Sequence, residues 1–243
     1  MKHPHLQPRG LSRRRVEQLL SETKYDRSAG SRIDVLSRHF LGHSYKQNPL
    51  IGSADTPEVF TASLDGFDCV TYLETILALA RASSVDEFIE WLRKIRYERG
   101  RIQWDRRNHY MTLWIRNNLR EGIVRPVSMP AVAILSMERI LNVAPGLPAE
   151  RTRMKCVSKR AMPRLERNLQ TGDLIFFAST RKNLDVFHAG IIVRDGKRVL
   201  MRHASRSRGS VVEQELSEFL KANRMAGVIV VRPNAVRRPI PVS

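Results

Sequence analysis

The segment Phe67-Asp68-Cys69-Val70-Thr71-Tyr72-Leu73-Glu74 sets a cysteine where an apolar-periodic helix begins. Far downstream, Phe187-His188-Ala189-Gly190-Ile191-Ile192-Val193 and then Arg202-His203-Ala204-Ser205 carry two histidines on segments that read as strands. A cysteine attacks as its thiolate, and unpaired N–H groups at a helix start favour that anion. His188 is the residue to take the proton, forming a thiolate–imidazolium pair. His203 is placed to hold the other ring nitrogen of His188 and fix its tautomer. The Cys69 backbone N–H is the natural donor to the oxyanion of a tetrahedral intermediate, and no second donor is legible. Asp68 disfavours a thiolate, so the sequence predicts that capping bonds absorb its charge and turn its side chain from the sulfur. Singly, a buried helix cysteine is most often packing, and a lone strand histidine structural. A helix cysteine followed by two hairpin histidines outlines thiol-based hydrolysis. No close ligand pair such as CxxC or HxxxH accompanies them, so no metal is predicted. No cofactor is implied, because thiol-based amide hydrolysis uses none.

The elements that must position these groups follow from periodicity. A helix is predicted from Ser12, with Val16, Leu19 and Leu20 on one face. A second spans Ser31 to Leu41, capped by Ser31, striped by Ile33, Leu36 and Phe40 and stopped by Gly42. Ser44 to Asp65 is a connector. The cysteine helix is capped by Asp68, buries Val70, Leu73, Ile76, Leu77 and Ala80, and ends near Arg81. Ser84 and Glu87 form a capping box for a helix through Phe88, Trp91, Leu92 and Ile95. Asn108 to Leu119 reads as helical or partly irregular. Gly122 to Thr171 is a long excursion with one or two strands, including the apolar run Ala131 to Leu135. Strands then follow at Leu174 to Ala178, His188 to Val193, Arg198 to His203 and Val228 to Arg232, with a short helix from Leu216 to Ala222. Asp195-Gly196 is a hairpin signal that sets the two histidines side by side. Helices first and antiparallel strands later give an α+β class. The expected organisation is a basic extension over 1–28, one domain over 29–235 with a variable insertion at about 121–170, and a tail over 236–243.

The chain has 243 residues, 42% of them apolar, enough for one good-sized core. A formal charge of +18 predicts attraction to polyanions: nucleic acid, anionic membranes or cell-wall polymers. Basic residues are spread along the chain, and neither zinc-finger spacing nor an RNA-binding aromatic motif is visible, which disfavours nucleic acid. Cys69 and Cys156 read as free thiols, since two cysteines make no disulfide framework. No apolar run is long enough to span a bilayer. Met1 to Arg15 is basic but lacks a following apolar signal core. The sequence therefore leaves open a cytosolic protein, export without a cleaved signal, or a leader already removed.

The motif stretches around Cys69, Gly172-Asp173-Leu174-Ile175, His188-Ala189-Gly190-Ile191 and His203-Ala204-Ser205 resemble the NlpC-type papain-fold peptidases of bacterial cell walls. More narrowly, the chain is similar to their N-acetylmuramoyl-L-alanine amidase-like branch. Leu41-Gly42-His43-Ser44-Tyr45 matches a leucine-glycine-x-proline-tyrosine segment with serine replacing proline, and Arg107-Asn108-His109-Tyr110 matches a second block. The similarity runs from about Ile33 to Val231. It implies a papain-like α+β fold with N-terminal helices packed on an antiparallel sheet. It implies Cys69 as nucleophile, His188 as base, His203 as third member, and Tyr45, Asn108 and His109 as lining of the substrate cleft. It also implies hydrolysis of a peptidoglycan or muropeptide amide in the periplasm or outside the cell. The bond would join N-acetylmuramic acid to L-alanine or γ-D-glutamate to a diamino acid, with loops over 121–170 selecting between them.

Three other functions stay open at this level. The same chemistry could serve a secreted antibacterial or host-directed effector. The charge could belong to a nucleic-acid-binding protein with a degenerate thiol site. The thiol could act in acyl transfer or deamidation, although related acyltransferases tend to place histidine before cysteine.

Overall fold

The computed structural model describes residues 7–26, 28–128 and 134–235. The tail 236–243, residues 1–6 of the N-terminal stretch and residues 131–133 of the predicted apolar run lie outside them.

Helix α1 (Arg13–Glu22) buries the predicted Val16, Leu19 and Leu20 in the main core. Helix α2 (Ala29–His39) starts earlier than the sequence predicts. Its cap is Ser28, whose hydroxyl accepts the Ser31 N–H at 3.0 Å, while Ser31 Oγ donates to Asp26 at 2.6 Å. Two serines three residues apart look alike in sequence, but only the first stands outside the helical turn. Helix α3 (Cys69–Arg81) is buried all round from Thr71 to Arg81, more than one apolar stripe requires. It is a core helix wrapped on every side. Helix α4 (Val85–Arg96) is capped by Ser84 Oγ, which accepts from Glu87 N–H at 3.2 Å. The reciprocal arm of that box shifts by one residue, because Glu87 accepts the N–H of Ser83 at 2.7 Å. Helix α5 (Met111–Arg120) begins after the extended stretch 107–110, and its first turn is capped from afar. Asp185 Oδ2 accepts the Thr112 N–H at 2.6 Å and its hydroxyl at 2.8 Å.

The 122–171 stretch yields β1 (Val124–Pro126), a hairpin of β2 (Ile134–Leu141) and β3 (Glu150–Val157), and the short helix α6 (Met162–Glu166). Next come β4 (Leu174–Ala178), β5 (Val186–Asp195), β6 (Arg198–Ser205), β7 (Ser210–Glu215), helix α7 (Leu216–Ala222) and β8 (Gly227–Pro233). They form one eight-stranded antiparallel sheet in the order β2-β3-β8-β4-β5-β6-β7, with β1 also on β8. The architecture is α+β. Side chains alternate between the two sheet faces. Phe176, Ala189, Ile191 and Ala204 join α1–α5 on one side. Ile175, Phe177, Ile192 and Met201 meet Leu165 of α6 and Phe219 of α7 on the other. Among the described residues no helix is long and apolar enough to cross a membrane.

Candidate active site

Cys69 is the first residue of α3 and is half-buried. Asp68 accepts the Val70 and Thr71 N–H groups at 3.1 and 2.8 Å, and the Thr71 hydroxyl at 2.8 Å, all on Oδ1. Thr71 Oγ1 in turn accepts the Asp68 N–H at 3.0 Å, which closes a capping box. The backbone N–H groups of Ala189, Cys69 and Val70 point to the sulfur and favour its anion. The predicted low thiol pKa nevertheless does not follow. Burial pushes the Cys69 thiol up to about 12, with the Asp68 carboxylate adding in the same direction. The capping bonds therefore blunt Asp68 without silencing it. Asp68 itself is raised by burial, against the opposing pull of its Thr71 bonds and the Arg96 cation.

Cys69 meets β5 at Ala189, the residue after His188. Strands β5 and β6 pair from Ile191↔Arg202 to Asp195↔Arg198 around the Gly196 turn (φ +57°). Carrying that register outward makes His188 and His203 diagonal neighbours on one face. Their rings meet nearly at right angles, with Nε2 of His188 and Nδ1 of His203 2.7 Å apart. Phe219 of α7 backs both, with ring centroids 5.3 and 5.6 Å away. Burial, and then the His203 charge, hold His188 down at about 3. Burial also lowers His203 to about 4, helped by the Arg208 cation. Nε2 of His203 is buried without a partner at hydrogen-bond distance, though the Gln214 side chain of β7 is close enough to favour the charged ring. The site thus holds a neutral thiol and neutral imidazoles, and not the ion pair the helix start suggests; among the described residues His188 hydrogen-bonds to His203 and not to Cys69. Desolvation of both charged forms outweighs the N–H groups.

Tyr45 belongs to this cluster. Its phenol is raised by burial, Asp68 and Cys69, and lowered by Arg206. The strip 42–46 runs between the two halves of the site. On one edge Phe67 N–H donates to Ser44 O at 3.0 Å and Lys46 N–H to Phe67 O at 2.9 Å. On the other, Tyr45 N–H donates to Gly209 O at 2.8 Å, and Gly42 and His43 exchange bonds with Val211 at 2.9 and 2.8 Å. Gly42 adopts φ +82°, open to glycine without steric cost.

Asn108 and His109 are engaged elsewhere. The Asn108 amide donates to Ile95 O at 3.2 Å and accepts from Asn117 at 2.7 Å, tying α4 to α5. His109 meets the Trp104 carbonyl at 2.6 Å and packs edge-on against the indole. Among the described residues no hydrogen bond or ring contact joins either to Cys69, His188 or His203.

Several site residues escape the sequence reading. Glu74 and Arg96 form a buried ion pair at 2.6 Å, which Trp114 and the Thr61 carbonyl complete. An acid inside the α3 apolar pattern is the one signal that could have found it. Beside the imidazoles lies a cleft of about 480 Å³, bordered by Phe187, His188, His203, Ser205, Arg206 and Phe219. Phe219 and Arg206 have no sequence mark of their own. Among the described residues no three His, Cys, Asp or Glu side chains converge to hold a metal.

A family model described as N-acetylmuramoyl-L-alanine amidase-like matches residues 35–228. The fold is similar to that of a Legionella pneumophila protein, 19% identical, with a TM-score of 0.81 over 92% of this chain and 95% of that one. It is also similar to an N-acetylmuramoyl-L-alanine amidase from Bacteroides uniformis, 25% identical, with a TM-score of 0.75 over 85% and 99% of the two chains. No curated protein sequence matches the chain.

Proposed function

The chain belongs to the N-acetylmuramoyl-L-alanine amidase-like family, and on that premise we propose that it hydrolyses an amide of the peptidoglycan stem through the Cys69 thiol. The observation that carries this is the junction of Cys69 with β5 at Ala189, directly beside the His188–His203 pair. His188 spends Nε2 on His203, which leaves Nδ1 as its basic atom. The working tautomer has His188 Nε2–H donating to His203 Nδ1, and His203 carrying its proton on Nε2 toward Gln214.

As the sulfur attacks the carbonyl carbon, the thiol proton passes to His188 and a C–S bond forms. The Cys69 N–H donates to the resulting oxyanion. Collapse breaks the C–N bond, and His188 returns the proton to the leaving amine. Water, giving a proton to the same ring, then attacks the thioester; the C–S bond breaks and the ring returns that proton to the Cys69 sulfur. Proton transfer coupled to attack suits a thiol and an imidazole that are both neutral at rest. Tyr45 shares the electrostatic environment of the sulfur and is placed to border the bound stem. Asn108 and His109 support the α4–α5 layer beneath it.

The family name favours the bond between N-acetylmuramic acid and L-alanine over that between γ-D-glutamate and the diamino acid. Both have the same scissile chemistry. The +18 charge holds the protein to the anionic wall and weakens with salt. The deciding experiment is mass spectrometry of muropeptides released from purified sacculi. Wild type should release products whose masses name the bond, and Cys69→Ala and His188→Ala should release none while keeping the native circular-dichroism spectrum. Digestion by both variants at the parental rate overturns the assignment.

A further inference from the structure

Of the eight residues that line the cleft, only Arg206 carries a charge at neutral pH, since both imidazoles are neutral. Its side chain is exposed, and among the described residues it has no carboxylate partner. This sets it apart from Arg202 on the preceding strand β6, which is buried between Asp34 and Glu213. The turn that carries Arg206 is held from several directions. Ser205 Oγ lies 3.2 Å from Ser207 Oγ and accepts the Arg208 N–H at 3.3 Å. Gly209 N–H donates to Arg206 O at 3.3 Å, and Gly209 O accepts the Tyr45 N–H at 2.8 Å. An unpaired guanidinium thus stands on a braced turn at the rim of the cleft, with Arg208 adding a second cation close to His203. Arg206 also favours the ionised Tyr45 phenol, on which Asp68 and Cys69 act in the opposite direction. One electrostatic environment therefore joins the rim to the nucleophile.

Such an arrangement selects an anion of defined position. A guanidinium offers a planar fork to a carboxylate and gains little from an amide of the same shape. In the stem peptide, the γ-linked glutamate leaves its α-carboxyl free. That group lies within one residue of the reacting carbonyl for either bond considered above. Resting on the amidase reading, we propose that Arg206 recognises this glutamate α-carboxylate, so that the site distinguishes acidic stems from stems amidated at that position.

The test separates binding from turnover. In full-length Cys69→Ala protein, the probes are N-acetylmuramoyl-L-alanyl-D-glutamate and its α-amide, measured by calorimetric titration. The acid should bind about tenfold more tightly than the amide, the size of a charge-assisted hydrogen bond at an open site. Arg206→Gln on this background should bring the ratio close to one, and Arg206→Lys should keep part of it. An unchanged ratio in Arg206→Gln overturns the proposal, as does equal or undetectable binding of the two probes before Arg206 is altered. Wild-type turnover of the acid reports separately on the amidase reading. Discrimination without cleavage sinks the cut between N-acetylmuramic acid and L-alanine alone, and cleavage without discrimination sinks the role of Arg206 alone.

Discussion

A buried thiol that rests neutral should be slow to alkylate. Cys69 moves from an ordinary 9.0 to about 12, chiefly by burial. At pH 8 the thiolate fraction then falls from about one in ten to about one in ten thousand, and uncharged iodoacetamide should react about a thousandfold more slowly than with an ordinary exposed cysteine. The measurement is the mass-spectrometric rate of single alkylation between pH 4 and 10, in a Cys156→Ser background that leaves Cys69 as the sole thiol. The rate should climb about tenfold per pH unit, with no acid plateau. Asp68→Asn should accelerate it at fixed pH, because asparagine still caps the helix but removes the charge that opposes the thiolate. A rate that levels off between pH 4 and 8 would show a preformed thiolate–imidazolium pair. It would refute the argument that desolvation outweighs the helix start.

Two further predictions concern stability. His188 and His203 stay neutral in the fold down to about 3 and about 4, against 6.5 as free side chains. Lowered folded pKa values give stability that is complete above about pH 6.5 and lost as pH falls toward 3, on the order of a few kcal/mol for the pair. Urea midpoints should drop over that window, and His203→Gln should flatten the slope; an unchanged slope would count against the burial argument. Arg96→Met should cost about 3–5 kcal/mol by stranding the Glu74 carboxylate, a large part of a typical domain's stability. Glu74→Leu combined with Arg96→Met should restore much of that loss in urea denaturation, and a cost below about 1 kcal/mol for the single change would contradict the ion pair's role.

What could be read from sequence was chemistry carried by contiguous motifs. The Asp68-Cys69 helix start, the two strand histidines and the Asp195-Gly196 turn all stand where local pattern places them, because each depends on neighbours a few residues away. Strand β7 escaped because its polar run Glu213-Gln214-Glu215 leaves little apolar alternation on a sheet edge. The α5 cap escaped because Asp185 reaches Thr112 across 73 positions of chain. Ser28 and Ser31 compete for one cap, and local spacing alone does not rank them. The thiol's raised pKa was illegible for another reason: it is a property of enclosure, supplied by residues scattered over the whole chain. Asn108 and His109 drew attention as a motif, yet their polar atoms go to Ile95, Asn117 and Trp104.

The strip 42–46 bonds on one edge to Phe67, two residues before Cys69, and on the other to Gly209 and Val211, just beyond the strand that carries His203. Peptide bonds have nearly fixed dimensions, so the strip works as a ruler laid between two halves of an instrument. The span from the start of α3 to the end of the strand that carries His203 is set by main chain, and replacing side chains along the strip does not reset it.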